Sequence, residues 1–204
     1  DSGRQIQLLG RSILLRCREL SGERADPLPQ ECYQGEYIRD LARELYEMRG
    51  HELLHLDQER AEAECAEFGL KGILEQIQSD LREFGAEHAI WFRESSLTGE
   101  GGVERALDSL REQGLVYESE GALWFESTRY GDDKDRVLRK SDGELTYFAA
   151  DIAYHADKLA RGYDRLINVW GADHHGYVPR MQAAVQALGR NRDDRQLLLV
   201  QMVN

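Results

Sequence analysis

The stretch from residue 166 to residue 180 constrains the fold more than any other part of the sequence. An apolar run at residues 166–170 has the composition of a buried strand, and it leads directly into Gly-Ala-Asp-His-His-Gly-Tyr at residues 171–177. The residues that follow predict a helix, with Pro179 in its first turn and Gly189 just beyond its end. A buried strand that feeds a helix is typical of an α/β fold with a parallel sheet.

This pattern places Asp173, His174 and His175 at the carboxyl end of the strand, where open parallel sheets bind ligands. Gly171 is expected to permit a sharp turn there. Three interpretations are open: a polar turn with a satisfied histidine, a metal site like that of the DHH phosphoesterases, or a nucleotide site in which Asp173 accepts hydrogen bonds from ribose. The metal site needs more carboxylates, and the only nearby Asp-x-Asp, at residues 133–135, follows no apolar strand. The rest of the chain favours the nucleotide site.

A second group of polar residues lies about twenty positions upstream. Thr146 can cap a helix that begins at Tyr147 and ends before Gly162. Tyr147 and Asp151 are four positions apart, and therefore share one face of that helix. A carboxylate beside a phenol matches a guanidinium or ammonium group, because the carboxylate accepts two parallel N–H bonds and the phenol oxygen accepts another. From spacing alone, a surface Asp beside a core Tyr is the commoner arrangement.

Three longer motifs stand out in the second half of the chain: Leu-Arg-Lys-Ser-Asp-Gly at 138–143, Thr-Tyr-Phe-Ala-Ala-Asp-Ile-Ala-Tyr-His at 146–155 and Val-Trp-Gly-Ala-Asp-His-His-Gly-Tyr at 169–177. In sequence, order and spacing they resemble the catalytic region of a bacterial arginyl-tRNA synthetase. Shorter ones are Tyr-Gln-Gly-Glu-Tyr-Ile at 33–38, Trp-Phe-Arg-Glu-Ser at 91–95 and Gly-Ala-Leu-Trp at 121–124. The resemblance therefore covers nearly the whole chain.

The resemblance implies a class I aminoacyl-tRNA synthetase, whose Rossmann-like domain condenses L-arginine with ATP and transfers the aminoacyl group to tRNA. Tyr147 and Asp151 match the arginine-recognising Tyr and Asp of the family. Gly171, Asp173 and His174 match the class I strand-end motif that lines the ATP pocket. The resemblance also implies Mg²⁺ bound together with ATP, a cytoplasmic location and a monomer.

Two motifs of class I chemistry are missing from the sequence. It contains neither a His-Ile-Gly-His-like loop nor a Lys-Met-Ser-Lys-Ser-like loop, which together hold the triphosphate and stabilise charge as pyrophosphate leaves. We therefore expect an excised piece of a longer enzyme, which keeps part of the site but has no catalytic residues and no activity of its own. Specificity for another amino acid, a DHH-type metal phosphoesterase and a non-catalytic helical interaction module are the alternatives.

The hydrophobic pattern predicts a mostly helical insertion over residues 1–130 and the second half of a Rossmann-like domain over residues 131–204. Within the first part, residues 51–67 predict one solvated helix, and residues 70–84 predict a further amphipathic stretch. A hairpin follows at about residues 115–125. We expect an α/β fold in which helix exceeds strand.

Charge and cysteine content narrow the class of protein. A formal net charge of −12 argues against a dedicated polyanion-binding protein without excluding tRNA as a partner. The basic residues Arg136, Arg139 and Lys140 are typical of a solvated strand edge, and contact with a tRNA acceptor end is the alternative. Three cysteines cannot all pair, so we expect reduced cytosolic thiols. No apolar run is long enough for a membrane span.

Overall fold

The computed structural model describes residues 3–22, 28–163, 165–189 and 195–200, with side chains for all of these except 195–199. The chain divides into two compact units, residues 1–93 and residues 94–204. The first unit is helical, and the strands belong to the second. The division between the compact units thus lies between residues 93 and 94, before residue 131, where the nucleotide-binding half is predicted to begin. The predicted domain boundary at residue 131 stays a prediction.

The first unit is built from α1 (Arg4–Leu20), α2 (Glu36–Leu54) and α3 (Gln58–Glu83), with α1 packed against both of the others. Apolar residues recur at helical spacing and bury one face of each helix. The core includes Leu9, Ile13, Leu14, Cys17, Ile38, Ala42, Leu45, Leu53, Ala61 and Cys65. Burial of these side chains is the main source of stability in this unit.

Glycine allows α1 and α3 to approach each other closely. A Cβ added at Gly10 would lie 2.2 Å from the carbonyl oxygen of Glu62, and one added at Gly69 would lie 2.4 Å from Cδ1 of Ile13. No side chain fits at the first of these positions unless the backbones separate. Gly10, which weakens the helical pattern of the sequence, is therefore explained by packing between helices.

The helix predicted at residues 51–67 is wrong. Gly50, at φ +49°, interrupts α2, which then continues to Leu54. A new helix begins after Asp57, whose Oδ1 accepts a hydrogen bond from the backbone N–H of Arg60 at 3.0 Å. From there α3 runs on to Glu83, because no residue between the two predicted segments breaks it.

The second unit begins with two helices and then alternates strands with helices and turns. In chain order it contains α4 (Glu94–Gly99), α5 (Gly102–Glu112), β1 (Val116–Ser119), β2 (Ala122–Phe125), a 3₁₀ turn (Ser127–Tyr130), β3 (Arg136–Arg139), α6 (Tyr147–Ala160), β4 (Leu166–Gly171), a second 3₁₀ turn (Ala172–Tyr177), α7 (Val178–Ala187) and β5 (Arg195–Val200). Within this unit α5 packs against α6, and α6 packs against α7.

The strands form two small sheets. β1, β2 and β3 are antiparallel in that order, and the predicted hairpin pairs Val116 with Phe125. β4 and β5 are parallel, from the pair Leu166 and Arg195 to the pair Gly171 and Val200. Parallel strands joined through a helix are the repeating unit of Rossmann-like folds. The predicted α/β class, with more helix than strand, is confirmed.

In the ranges that the structure describes, no helix is both long enough and apolar enough to pass through a membrane.

Candidate functional site

Helix α6 carries Asp151, the central residue of the candidate site. The helix begins as predicted, since Thr146 Oγ1 accepts a hydrogen bond from the backbone N–H of Ala149 at 3.3 Å. It ends as predicted before Gly162, which has a φ of +82°. Phe148, Ala149, Ile152 and Ala153 bury the apolar face of α6 and fix its position in the unit. Asp151 lies at the edge of that face and is half-buried.

Tyr147 and Asp151 do not lie in the same environment. The Tyr147 side chain is 88% exposed, whereas the carboxylate of Asp151 is bonded to a different phenol. Tyr177 Oη donates a hydrogen bond to Asp151 Oδ2 at 2.6 Å, a length typical of a charge-assisted O–H···O⁻ bond. The sequence predicts a phenol beside the Asp151 carboxylate and assigns it to Tyr147. In the structure the phenol that contacts Asp151 belongs to Tyr177. The assignment of Tyr147 and Asp151 to arginine binding stays a prediction.

The carboxylate of Asp151 is set between opposing electrostatic effects. Burial raises its pKa above the ordinary value, while the hydrogen bond from Tyr177 and the electrostatic effects of Lys158 and His174 act in the opposite direction. Within the described part of the chain, no arginine or lysine nitrogen lies within 4.0 Å of this carboxylate. Burial also raises the pKa of Tyr177, as does the neighbouring Asp151, so Tyr177 remains a hydrogen-bond donor.

A buried polar network fixes α6 to β4 beside Asp151. His155 Nδ1 lies 2.8 Å from the backbone carbonyl oxygen of Asp151, and because a carbonyl only accepts, the ring proton is on Nδ1. The other ring nitrogen, Nε2, then accepts from Asn168 Nδ2 at 3.1 Å, while Asn168 Oδ1 accepts from Lys158 Nζ at 3.1 Å. His155 and Asn168 are both buried. The network therefore joins the helix that carries Asp151 to the strand that leads to the Asp-His-His turn.

The Asp-His-His turn follows the end of β4 as predicted. Asp173 and His174 are exposed, and His174 Nδ1 lies 3.0 Å from Asp173 Oδ1. His175 Nδ1 donates to the carbonyl oxygen of Ala172 at 3.1 Å, so this nitrogen of His175 stabilises the turn itself. The exposed Asp173 carboxylate and the His174 ring are available to a ligand above the strand end.

Gly171 lies where β4 ends and the 3₁₀ turn begins, and its φ of −61° and ψ of 150° are values that other residues also adopt, so the turn does not require the conformational freedom of glycine. A different constraint acts there. A Cβ at Gly171 would lie 2.5 Å from Oδ1 of Asp173, because the carboxylate folds back over the glycine. Gly171 thus leaves space for the Asp173 side chain in the position that the structure shows.

Aromatic rings surround the Tyr177 phenol. The ring of Tyr177 packs edge-to-face against Phe148 with centroids 6.1 Å apart and against Trp170 with centroids 5.9 Å apart. The Arg180 guanidinium lies 4.6 Å from the centre of the Tyr177 ring. Trp170 also contacts the ring of His174, with centroids 6.2 Å apart. These contacts connect the Asp151 carboxylate to the strand-end turn.

The other charged candidates from the sequence are occupied by ion pairs. Arg136 binds the buried carboxylate of Asp132 through two hydrogen bonds of 2.7 Å. Arg139 binds both carboxylate oxygens of Glu104, and Lys140 is paired with Glu144. These pairs favour the strand-edge interpretation over a tRNA contact. No group of three or more His, Cys, Asp or Glu side chains suited to a metal ion occurs in the described ranges.

Known proteins with similar sequences identify the family of this chain. Residues 36–200 match the family model for the catalytic domain of class I tRNA synthetases specific for arginine. This chain belongs to the class I arginyl-tRNA synthetase family. It is 52% identical over its whole length to the arginine--tRNA ligase of Nitratidesulfovibrio vulgaris strain DP4, and equally similar to that of Syntrophotalea carbinolica. The chain spans about 37% of the length of these curated relatives.

Solved structures of arginyl-tRNA synthetases share the fold. A structure from Campylobacter jejuni, 41% identical, superposes with a TM-score of 0.88 over 99% of this chain and 44% of its own chain. The Thermus thermophilus enzyme superposes with a TM-score of 0.60 over 93% of this chain and 39% of its own, at 18% identity, which supports the fold alone. Family membership confirms the predicted resemblance, and it does not favour a DHH phosphoesterase or a non-catalytic helical module.

Tyr177 is the site residue that sequence reasoning missed. It lies in the same segment as Asp173 and His174, yet it is 26 positions from Asp151, and no local spacing rule connects the two. The usable signal was a single polar aromatic residue at the end of a strand-to-helix turn. Such a phenol is placed to bond across to a neighbouring helix.

Proposed function

We propose that the full-length protein containing this sequence activates L-arginine with ATP and transfers it to tRNA. The proposal is supported by 52% identity, over the whole of this chain, to a curated arginine--tRNA ligase. Because the chain spans only 37% of that relative, the activity, the substrates and tRNA as a partner are assigned to the longer protein. The family model, which covers residues 36–200, supports the same reaction class.

The observation that carries the choice of arginine is the carboxylate of Asp151. It is half-buried, hydrogen-bonded to one neutral phenol, and has no cation within salt-bridge distance among the described side chains. A buried carboxylate in that state gains most from a cationic ligand, since an unpaired charge away from water is costly. A guanidinium fits especially well, because its planar fork offers two parallel N–H groups to one carboxylate. We therefore assign the guanidinium of arginine to Asp151.

Tyr147 is assigned to the same ligand as an outer contact. Its phenol is exposed at the start of α6, one helical turn from Asp151. From that position the phenol oxygen accepts an N–H bond from the solvent side of a guanidinium. This contact is weaker than the one with Asp151, because water competes for an exposed acceptor.

ATP is assigned to the end of β4. Asp173 accepts hydrogen bonds from ribose hydroxyls, His174 lies beside it, and Gly171 leaves the space that the Asp173 carboxylate occupies. The edge-to-face contact between Trp170 and Tyr177 connects the end of β4 to the phenol that is bonded to Asp151, which supports a nucleotide bound beside the arginine. Mg²⁺ is assigned to the phosphates of the nucleotide, because this ion is commonly bound through substrate phosphates and water. A cytoplasmic location agrees with three free, buried cysteines, and the monomeric state stays a prediction.

Amino-acid-dependent exchange of pyrophosphate into ATP tests the proposal. The full-length protein would be assayed with tRNA present and with L-arginine, L-lysine and L-citrulline in turn. Arginine is expected to support exchange far better than lysine, which has an ammonium group, or citrulline, which has no charge. Preference for a different amino acid would overturn the assignment. Exchange without any amino acid preference would remove Asp151 as the recognition residue.

A further inference from the structure

The bond between Tyr177 and Asp151 joins two elements that the sequence keeps apart. Asp151 is on α6, and Tyr177 ends the 3₁₀ turn that follows β4. The Tyr177 hydroxyl donates to Oδ2 at 2.6 Å and uses one of the lone pairs of this oxygen. The second lone pair of Oδ2 and those of Oδ1 remain for the two parallel N–H groups of a guanidinium.

Packing prevents Tyr177 from swinging away. Its ring is held edge-to-face by Phe148 from α6 and by Trp170 from β4, and the Arg180 guanidinium lies 4.6 Å from its centre. These contacts come from three different elements, so the direction of the hydroxyl is fixed by the fold. A side chain held in this way can orient a carboxylate with little further loss of conformational entropy.

We propose that Tyr177 is a positioning residue that orients the Asp151 carboxylate for a guanidinium and so sets specificity for arginine over lysine. This inference rests on the proposed function. A guanidinium delivers its N–H groups in one plane and requires the carboxylate to match that plane. An ammonium group is a point charge that approaches from many directions, so its binding depends much less on the orientation of the carboxylate.

Tyr177 also favours the charged form of Asp151. The phenol hydrogen bond opposes the effect of burial on the pKa of Asp151, as do the electrostatic effects of Lys158 and His174. Without the phenol oxygen, the pKa of Asp151 rises further above its ordinary value. Arginine binding needs the carboxylate, so in such a variant binding is lost at a higher pH as the solution is made more acidic. A purely structural role for Tyr177 predicts no such displacement.

The test is Tyr177→Phe in the full-length protein, which keeps the aromatic ring and its packing but removes the hydroxyl. We expect kcat/KM for arginine to fall by about 10- to 100-fold, mainly through KM, because a carboxylate that is no longer oriented binds the guanidinium less well in the ground state and the transition state alike. The ratio of kcat/KM for arginine to that for lysine should fall as well. The acidic limb of the arginine profile should move to higher pH. Tyr163→Phe, at an exposed tyrosine, is the matched control and should change none of these.

Asp151→Asn, measured in parallel, separates the possible failures. If Asp151→Asn leaves arginine activation unchanged, the proposed site and this inference both fail. If Asp151→Asn is damaging while Tyr177→Phe matches the parent, only the positioning role is overturned. The same conclusion follows if Tyr177→Phe lowers kcat/KM for arginine and lysine equally and leaves the pH profile in place. Thermal unfolding of each variant shows whether a loss of activity reflects a loss of fold. The proposal is supported if Tyr177→Phe keeps the parental melting temperature and shows the change in specificity.

Discussion

The two compact units differ in where they place polar groups. Of the buried polar or charged side chains in the described ranges, Ser127, Asp132, His155 and Asn168 belong to residues 94–204, and Ser12 belongs to residues 1–93. The helical unit keeps most of its charges at the surface, with the exception of Arg16, whose side chain is 11% exposed and pairs with Glu19 on the same helix. Several of its ion pairs join residues three apart on one exposed helix face, as between Arg43 and Asp40 at 2.9 Å.

The difference has a physical reason. Burying a polar group costs free energy unless every donor and acceptor finds a partner, so a chain gains little from doing it in a simple helical core. Satisfied buried networks do fix side chains in one arrangement, which a binding site needs and a helical scaffold does not. In this chain the buried polar residues His155 and Asn168 lie beside Asp151. Polar burial thus marks the unit that carries the candidate site.

The largest effect expected from this comparison is that of Asp132→Ala. Asp132 has no exposed side-chain surface, and it accepts two hydrogen bonds from Arg136, which is 12% exposed. Removing the carboxylate leaves a nearly buried guanidinium without its main partner, at a cost of about 3–5 kcal/mol. Urea unfolding measures this loss. Asp40→Ala in the helical unit breaks an exposed pair and should cost only about 0–1 kcal/mol.

The same pair predicts a dependence on pH. Burial by itself would raise the pKa of Asp132, but the hydrogen bonds from Arg136 and from the backbone of Asp133 outweigh it and lower the pKa to about 2. The folded state therefore favours the charged form. Its stabilisation is complete above the ordinary value of 3.8 and is lost as the pH falls towards 2. The difference in stability between the parent and Asp132→Ala should shrink over that interval, and a constant difference would contradict the charge assignment.

The next effect concerns activity. Asp151→Asn keeps the shape and one acceptor but removes the charge that faces the guanidinium. In the full-length protein we expect a loss of about 2–5 kcal/mol in kcat/KM for arginine. Asp157→Asn is the control on the same helix, since Asp157 is already paired with Arg161 at 2.9 Å and should affect arginine activation little. Near-parental efficiency in Asp151→Asn would place the recognition of arginine elsewhere.

The parts of the second unit that depend on local chemistry could be predicted from the sequence. Thr146 caps α6, Pro179 lies in the first turn of α7, and Gly162 and Gly189 follow the ends of α6 and α7 with positive φ. Each of these signals acts within one helical turn, so the sequence alone contains it. The strand-to-helix order and the position of the Asp-His-His turn follow from the same local rules.

Contacts between distant residues could not be predicted in this way. The bond from Tyr177 to Asp151 depends on how the turn after β4 packs against α6, and spacing along the chain does not contain that information. The exposure of Tyr147 could not be predicted for the same reason. An i,i+4 spacing shows that two residues share a helix face, but it does not show what covers each of them. In the helical unit, the single helix α3 was missed because its cap at Asp57 was not recognised.

A smaller effect tests the packing of the helical unit. Gly10→Ala would put a methyl group 2.2 Å from a backbone carbonyl oxygen of α3, so α1 and α3 must separate. We expect a destabilisation of about 1–3 kcal/mol in urea unfolding. Gly72→Ala is the matched control, because its Cβ meets only the flexible end of Leu41, at 2.8 Å, and alanine favours a helix. Equal losses for the two variants would contradict close packing of α1 against α3 as the reason for Gly10.

The smallest effect is expected for Tyr147→Phe in the full-length protein. The Tyr147 side chain is 88% exposed, so removal of its hydroxyl should leave the melting temperature unchanged. Only a neutral, solvent-competed acceptor is lost, and kcat/KM for arginine should fall by about 0.5–1.5 kcal/mol. That loss must be smaller than the one for Asp151→Asn, because the charge that neutralises the guanidinium belongs to Asp151. If Tyr147→Phe were the more damaging change, the exposed phenol would be the principal contact for arginine. Recognition of arginine would then not depend on Asp151 and the buried polar residues beside it.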